Sequence, residues 1–271
     1  MQIICLGDSI TDCNHLFEDF PLGNGYVQIL SEMFRNQTPS FSISADTVRR
    51  SSSAVQLTDR STGAIHFRNC GIDGFTVARV LENIRQHRIF LHCSPVITLL
   101  IGINDIGLIM NTDRTDSQKE QMMREFATHY NELLNLLTAD ARQVILMEPF
   151  IFPHPEEYET WIPYVHTMSD IIRQLSVRFR LPFLPLHNYF NKEATQSGFD
   201  AITTDGIHLT LYGHKLLAEK LFPLLQSIDN DPCTDKLLRI FPELCIINHC
   251  PRSYLRTYYG KESSLYYGNY N

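Results

Sequence analysis

Short apolar runs alternate along the chain with longer stretches in which apolar residues recur every three or four positions. The runs fall at 2–6, 65–69, 95–101, 143–148 and 182–185. Three of them are nearly continuous, the pattern of parallel strands covered on both faces. Helix-patterned segments lie near 25–34, 77–87, 117–138, 164–179 and 211–227. Within the third, Phe126, Tyr130, Leu133, Leu134 and Leu137 predict an amphipathic helix with one buried face. Strand and helix alternating over roughly 220 residues predict a βαβ series with a parallel sheet, most economically a doubly wound three-layer sandwich.

Two segments break the alternation. Residues 36–63 are polar and rich in Ser, Thr and Arg, with Arg49 and Arg50 at the centre. That is long for a loop, so it either covers something or carries minor structure. Residues 229–271 follow the last predicted helix and hold six of the twelve tyrosines. Asp229, Asn230, Asp231 and Pro232 mark the boundary between a main domain over 1–228 and this extension. Leu237, Ile240, Phe241 and Leu244 form a helical stripe there, so the extension is expected to pack on its own domain or join subunits of a homo-oligomer. A plain surface strap is the alternative.

Composition narrows the class. With 271 residues, 44% of them hydrophobic, the chain can bury a core without a metal staple and is not disordered. A net charge of −7 makes it a poor ligand for nucleic acid or anionic membranes. No apolar run approaches the roughly 20 residues of a membrane span. Met1 to Leu6 enters Gly7 with no basic n-region, which reads as a core strand and not a signal peptide. The seven cysteines, an odd number, fit a reducing cytoplasm. Cys5 and Cys93 read as core residues. Cys233, Cys245, His249 and Cys250 lack the short Cys pair of structural zinc sites, so free thiols and no metal are expected.

Four short motifs carry the chemistry. Gly7-Asp8-Ser9-Ile10-Thr11-Asp12, Asn69-Cys70-Gly71-Ile72-Asp73-Gly74 and Gly102-Ile103-Asn104-Asp105 each follow a predicted strand. Asp205-Gly206-Ile207-His208 precedes the last helix. In an open parallel sheet ligands bind beyond the carboxyl ends of the strands, so all four motifs are expected at one edge. Serine needs a base to become a nucleophile, and His208 is the candidate, with Asp205 fixing its tautomer. An oxyanion needs preorganised donors, for which the Ser9 N–H, the Gly71 N–H and the Asn104 amide are candidates. Asp8 and Asp105 read as turn-capping residues. Thr11 and Asp12 read either as site-lining or as first-turn caps. Trp161, the only tryptophan, either stacks on a sugar at the site edge or anchors the following helix.

This set resembles the SGNH hydrolases, also called the GDSL esterase family. Ser9, Gly71, Asn104 and His208 match the four letters in order, and Asp205 matches the Asp-x-x-His aspartate. Ile10 stands where leucine is usual and Leu209 where proline is common. The resemblance spans about residues 2–227 and implies a flavodoxin-like, five-stranded parallel sheet in an α/β/α sandwich. The Gly23-Asn24-Gly25-Tyr26-Val27 and Met147-Glu148-Pro149-Phe150 stretches are also similar to intracellular acetylxylan and carbohydrate acetylesterases. The resemblance therefore implies a cofactor-free serine esterase acting on small acyl esters, with acetylated oligosaccharides as the best substrate. A lysophospholipase or thioesterase is the enzymatic alternative, and a non-catalytic binding protein the alternative of another class.

Overall fold

Apolar runs become strands because both of their faces are covered. In β1 (Gln2–Gly7), Ile3, Ile4, Cys5 and Leu6 are all fully buried. β3 (Val96–Leu100) and β4 (Gln143–Met147) are buried at every position. β2 (His66–Gly71) begins exposed, as an edge strand does, and the two-residue β5 (Phe183–Leu184) forms the other edge. The order is β2-β1-β3-β4-β5, and every neighbouring pair is parallel. The computed structural model describes residues 1–16, 20–37, 65–86, 95–141 and 143–230. Most of the polar segment (38–63), Cys93, and the extension with Cys233, Cys245, His249 and Cys250 lie outside the described residues.

Parallel strands need crossovers, and helices supply them. The short α1 (Ser9–Asp12) is followed by α2 (Tyr26–Gln37), α3 (Val77–Arg85), α4 (Ile103–Met110) and α5 (Asp116–Asp140). Then come α6 (Ile162–Phe179), α7 (His187–Ser197), α8 (Phe199–Ile202) and α9 (Leu211–Asn230). The β1-to-β2 step runs one way along the sheet and all later steps run the other. Right-handed crossovers therefore place α2 on one face and α3, α5 and α6 on the opposite one. The packing agrees: α2 lies against α9, while α3 and α6 both pack on α5. The predicted stripe of α5 is its buried face, and a capping box between Thr115 and Gln118 starts the helix.

The reversal of direction opens a crevice between the carboxyl ends of β1 and β3. Gly7 pairs with Gly71 on one side and Leu100 on the other, so the loops leaving β1, β2 and β3 start level. Besides the four-residue α1 and α8, two helices lacked a sequence signal. α4 begins inside a motif read as a turn, and α7 buries only His187, Phe190 and Ala194. Among the described residues no helix is long and apolar enough to cross a membrane.

Candidate active site

The chain leaves β1 through Asp8, whose Oδ1 accepts the Ile10 N–H at 3.1 Å and caps α1. Ser9 is thereby the first residue of a helix sitting on the strand ends. Asp8 is buried, and that burial pushes its carboxyl up to about 7 against the pull of the Ile10 N–H and the nearby His208.

The partner of Ser9 comes from a tight loop before α9. Thr203 and Leu209 form an antiparallel bridge, and the Thr203 hydroxyl donates to the His208 carbonyl at 2.7 Å. Gly206 accepts that turn only because it is glycine: its φ is +91°, and a Cβ would meet the His154 carbonyl at 2.1 Å. Asp205 Oδ1 accepts the main-chain N–H groups of Ile207 (2.9 Å) and His208 (2.7 Å), leaving Oδ2 at 2.6 Å from His208 Nδ1. Burial raises the Asp205 carboxyl, but these hydrogen bonds and the imidazole outweigh it and hold it below its ordinary value. With Asp205 on Nδ1, that nitrogen carries the proton and Nε2 is an acceptor. Nε2 lies 2.8 Å from Ser9 Oγ. Ser9, far away in sequence, thus stands in one hydrogen-bonded line with His208 and Asp205.

Asn104 occupies the first turn of α4, on the other side of the crevice. Its Nδ2 donates to the Phe75 carbonyl at 2.9 Å, and Asp105 Oδ2 accepts the Val77 N–H at 3.1 Å. Burial pushes the Asp105 carboxyl up to about 7, with the Asp8 charge adding to the rise against the Val77 N–H. The first turn of α4 is therefore stitched to the loop after β2.

Gly71 does not have the place expected of it. Its N–H is already donated to Asn69 Oδ1 at 2.9 Å. A Cβ there would meet Asp12 N at 2.4 Å, so this glycine serves the close approach of α1 to β2. Gly74, whose N–H has no hydrogen-bond partner among the described residues, is the alternative in the same motif. The Phe75 N–H bonds the Ile72 carbonyl at 3.2 Å, and Gly74, at φ +70°, sits third in that type II turn. A Cβ on Gly74 would meet nothing within 4 Å. Asn69 itself escaped the sequence reading. Its Nδ2 donates to the carbonyls of Thr11 (2.6 Å), Asp12 (3.1 Å) and Leu22 (2.9 Å), tying α1 and the next loop to β2.

Asp12 both braces and borders the site: Oδ1 contacts His15 Nδ1 at 2.7 Å and Oδ2 accepts the Asp73 N–H at 3.0 Å. Thr11 faces inward to the Tyr26 hydroxyl at 3.1 Å. Trp161 packs as a helix anchor. It is only 7% exposed, sits edge-on to Tyr158 with centroids 4.8 Å apart, and is absent from the walls of the groove beside Ser9. That groove holds about 820 Å³ and runs between the His208 loop and the segment after α1. Cys13 and His214, neither read as site residues, form part of its wall.

Comparison with known proteins bears on the family and the fold. A profile of the GDSL-like Lipase/Acylhydrolase family matches residues 5–216. The chain belongs to that family. Among curated proteins, none matches the sequence. The structure is similar to LAE5, described as an alpha/beta hydrolase enzyme from the metagenome of Lake Arreo, Spain. The TM-score is 0.62 at 18% identity, covering 84% of this chain and 95% of that one. It is also similar to Axe2, an acetylxylan esterase from Geobacillus stearothermophilus, with a TM-score of 0.60 at 22% identity over 82% of this chain and 92% of the other. A substituted form of Axe2 gives 0.63 over 82% and 93%. At such identities the likeness establishes the shared fold. As a member of the GDSL-like family, the chain is a carboxylic ester hydrolase.

Proposed function

We propose that this GDSL-like hydrolase is a serine esterase that removes small acyl groups, acetyl first among them, from carbohydrate hydroxyls. The observation that carries the reading is the line Ser9 Oγ–His208–Asp205, with hydrogen bonds of 2.8 and 2.6 Å. His208 Nε2 takes the Ser9 proton as Oγ attacks the ester carbon, and Asp205 stabilises the imidazolium that forms. The developing oxyanion is received by the Ser9 N–H, the second Asn104 Nδ2 proton and the Gly74 N–H, which takes the role first expected of Gly71. Water then attacks the acyl-enzyme with His208 again as base. No cofactor enters these steps.

Acetyl esters of sugars are favoured by the motif resemblance and by the polar groove walls Asn14, Asn24, Thr204 and Thr210. The longer-chain lipid or thioester reading has one observation in its favour: Leu16 (71% exposed) and Leu211 (70% exposed) stand at the same groove. A panel of acetyl to decanoyl esters alongside acetylated xylo-oligosaccharides separates the two. The proposal expects rates to fall with chain length and the oligosaccharides to be hydrolysed. A maximum at octanoyl or decanoyl refutes it.

A further inference from the structure

We propose that the groove beside Ser9 receives the leaving alcohol of the ester and selects against alcohols that carry negative charge. This rests on the Ser9–His208 mechanism above and adds the charge class of the substrate to it.

The direction of the groove follows from proton bookkeeping. As the tetrahedral intermediate collapses, the bond from carbon to the alcohol oxygen breaks and the Ser9–acyl bond remains. The proton that left Ser9 goes from His208 Nε2 to the departing oxygen, which must lie within roughly 2.6–3.2 Å of it. The oxyanion of the same carbon points the other way, toward Asn104 and Gly74. The alcohol therefore extends over His208. The groove lies on that side: His208 and Thr204 belong to one wall and Asn14 and Asn24 to the other, while Asn104 and Gly74 are in neither.

The charges in the groove are of one sign. Asp12 and Asp73 line it, and no Lys or Arg does so among the described residues. Asp12 is engaged by His15, whereas the exposed Asp73 carboxylate has no ion-pair or hydrogen-bond partner among the described residues. His214 adds no positive charge. Its Nδ1 accepts the Tyr26 N–H at 3.3 Å, its Nε2 faces Cys13 Sγ at 3.2 Å, and burial lowers its pKa to about 4. The Cys13 thiol keeps its proton, donating to the Ile10 carbonyl at 3.4 Å. What remains is a set of neutral amides and hydroxyls, with the apolar Leu16 and Leu211 at the same groove, beside an unbalanced carboxylate. That suits a neutral polyol or a cationic alcohol, and it repels a phosphate- or carboxylate-bearing one.

The test compares three acetates of similar size: glycerol monoacetate, the acetyl ester of glycerol 3-phosphate, and acetylcholine. At low salt, kcat/KM for the phosphate ester should be lower than for the neutral ester by roughly tenfold, with acetylcholine at least equal to the neutral ester. The gap should narrow at about 0.5 M salt, because the charges lie at a solvent-open groove. Asp73→Lys should raise the phosphate-to-neutral ratio by roughly tenfold or more. Equal rates for phosphate and neutral esters in the wild type overturn the proposal. So does a change in acetyl-against-butyryl preference in Asp73→Lys with the alcohol ratio unmoved, which would place the acyl group in the groove. Turnover that persists in Ser9→Ala overturns the underlying mechanism instead.

Discussion

Asn104 is held by one amide proton on the Phe75 carbonyl, which leaves the other for a developing oxyanion. Asn104→Ala should therefore lower kcat by roughly 10²–10³ with KM little moved, the scale of one lost oxyanion donor. Steady-state kinetics on a chromogenic acetate checks this. Gly74→Ala is a sharper case. The position is open to a Cβ, but its φ of +70° suits glycine, so the turn and its N–H should shift. kcat should fall by roughly tenfold or more, while far-UV circular dichroism stays unchanged. Unchanged turnover in Gly74→Ala would return the role to another donor. Serine, histidine and aspartate were legible in the sequence because each follows a strand or precedes a helix in a fixed order. Which of two glycines three residues apart offers its N–H was not legible. That depends on Asn69 consuming the Gly71 proton, a contact made only in the fold. Trp161 stayed open between two readings for a similar reason, since the helical turn around it decides which way an indole faces.

At the scale of elements, α5 was readable because its apolar stripe is regular, and the stripe is what the fold buries. Leu133→Ala should cost about 2–5 kcal/mol, measured by urea unfolding. Tyr130 on the same face gives the opposite prediction. Its hydroxyl is buried with no hydrogen-bond partner among the described residues, and burial alone raises its pKa. Tyr130→Phe should leave stability unchanged or raise it by about 1 kcal/mol, because an unsatisfied polar atom is removed and the ring is kept. A loss of stability on that change would mean that the hydroxyl has a partner. α4 and α7 escaped detection because one opens within a motif and the other buries a single side chain per turn.

For the molecule as a whole, the doubly wound order follows from alternation plus handedness, and the crevice follows from the order. The same crevice gathers two buried carboxyls, Asp8 and Asp105, each pushed up to about 7 mainly by burial. In the folded state they hold protons that the unfolded chain releases near 3.8. Their contribution to stability is thus complete below that value and is lost as pH rises through about 7. Asp105→Asn keeps an acceptor for the Val77 N–H but cannot ionise. Relative to wild type, it should lose less stability between about pH 5 and pH 8 in denaturant titrations. An identical slope in both proteins would mean that Asp105 does not titrate in that window.

Ser9 as the nucleophile is the centre of the mechanism, and covalent trapping tests it most directly. Intact-mass analysis after treatment with an organophosphate such as paraoxon should show one phosphoryl adduct per chain. The adduct should map to the peptide containing Ser9 and accumulate in step with loss of esterase activity. It should be absent from Ser9→Ala and slow to form in His208→Ala. Adduct on another residue, or full activity in Ser9→Ala, would contradict the mechanism.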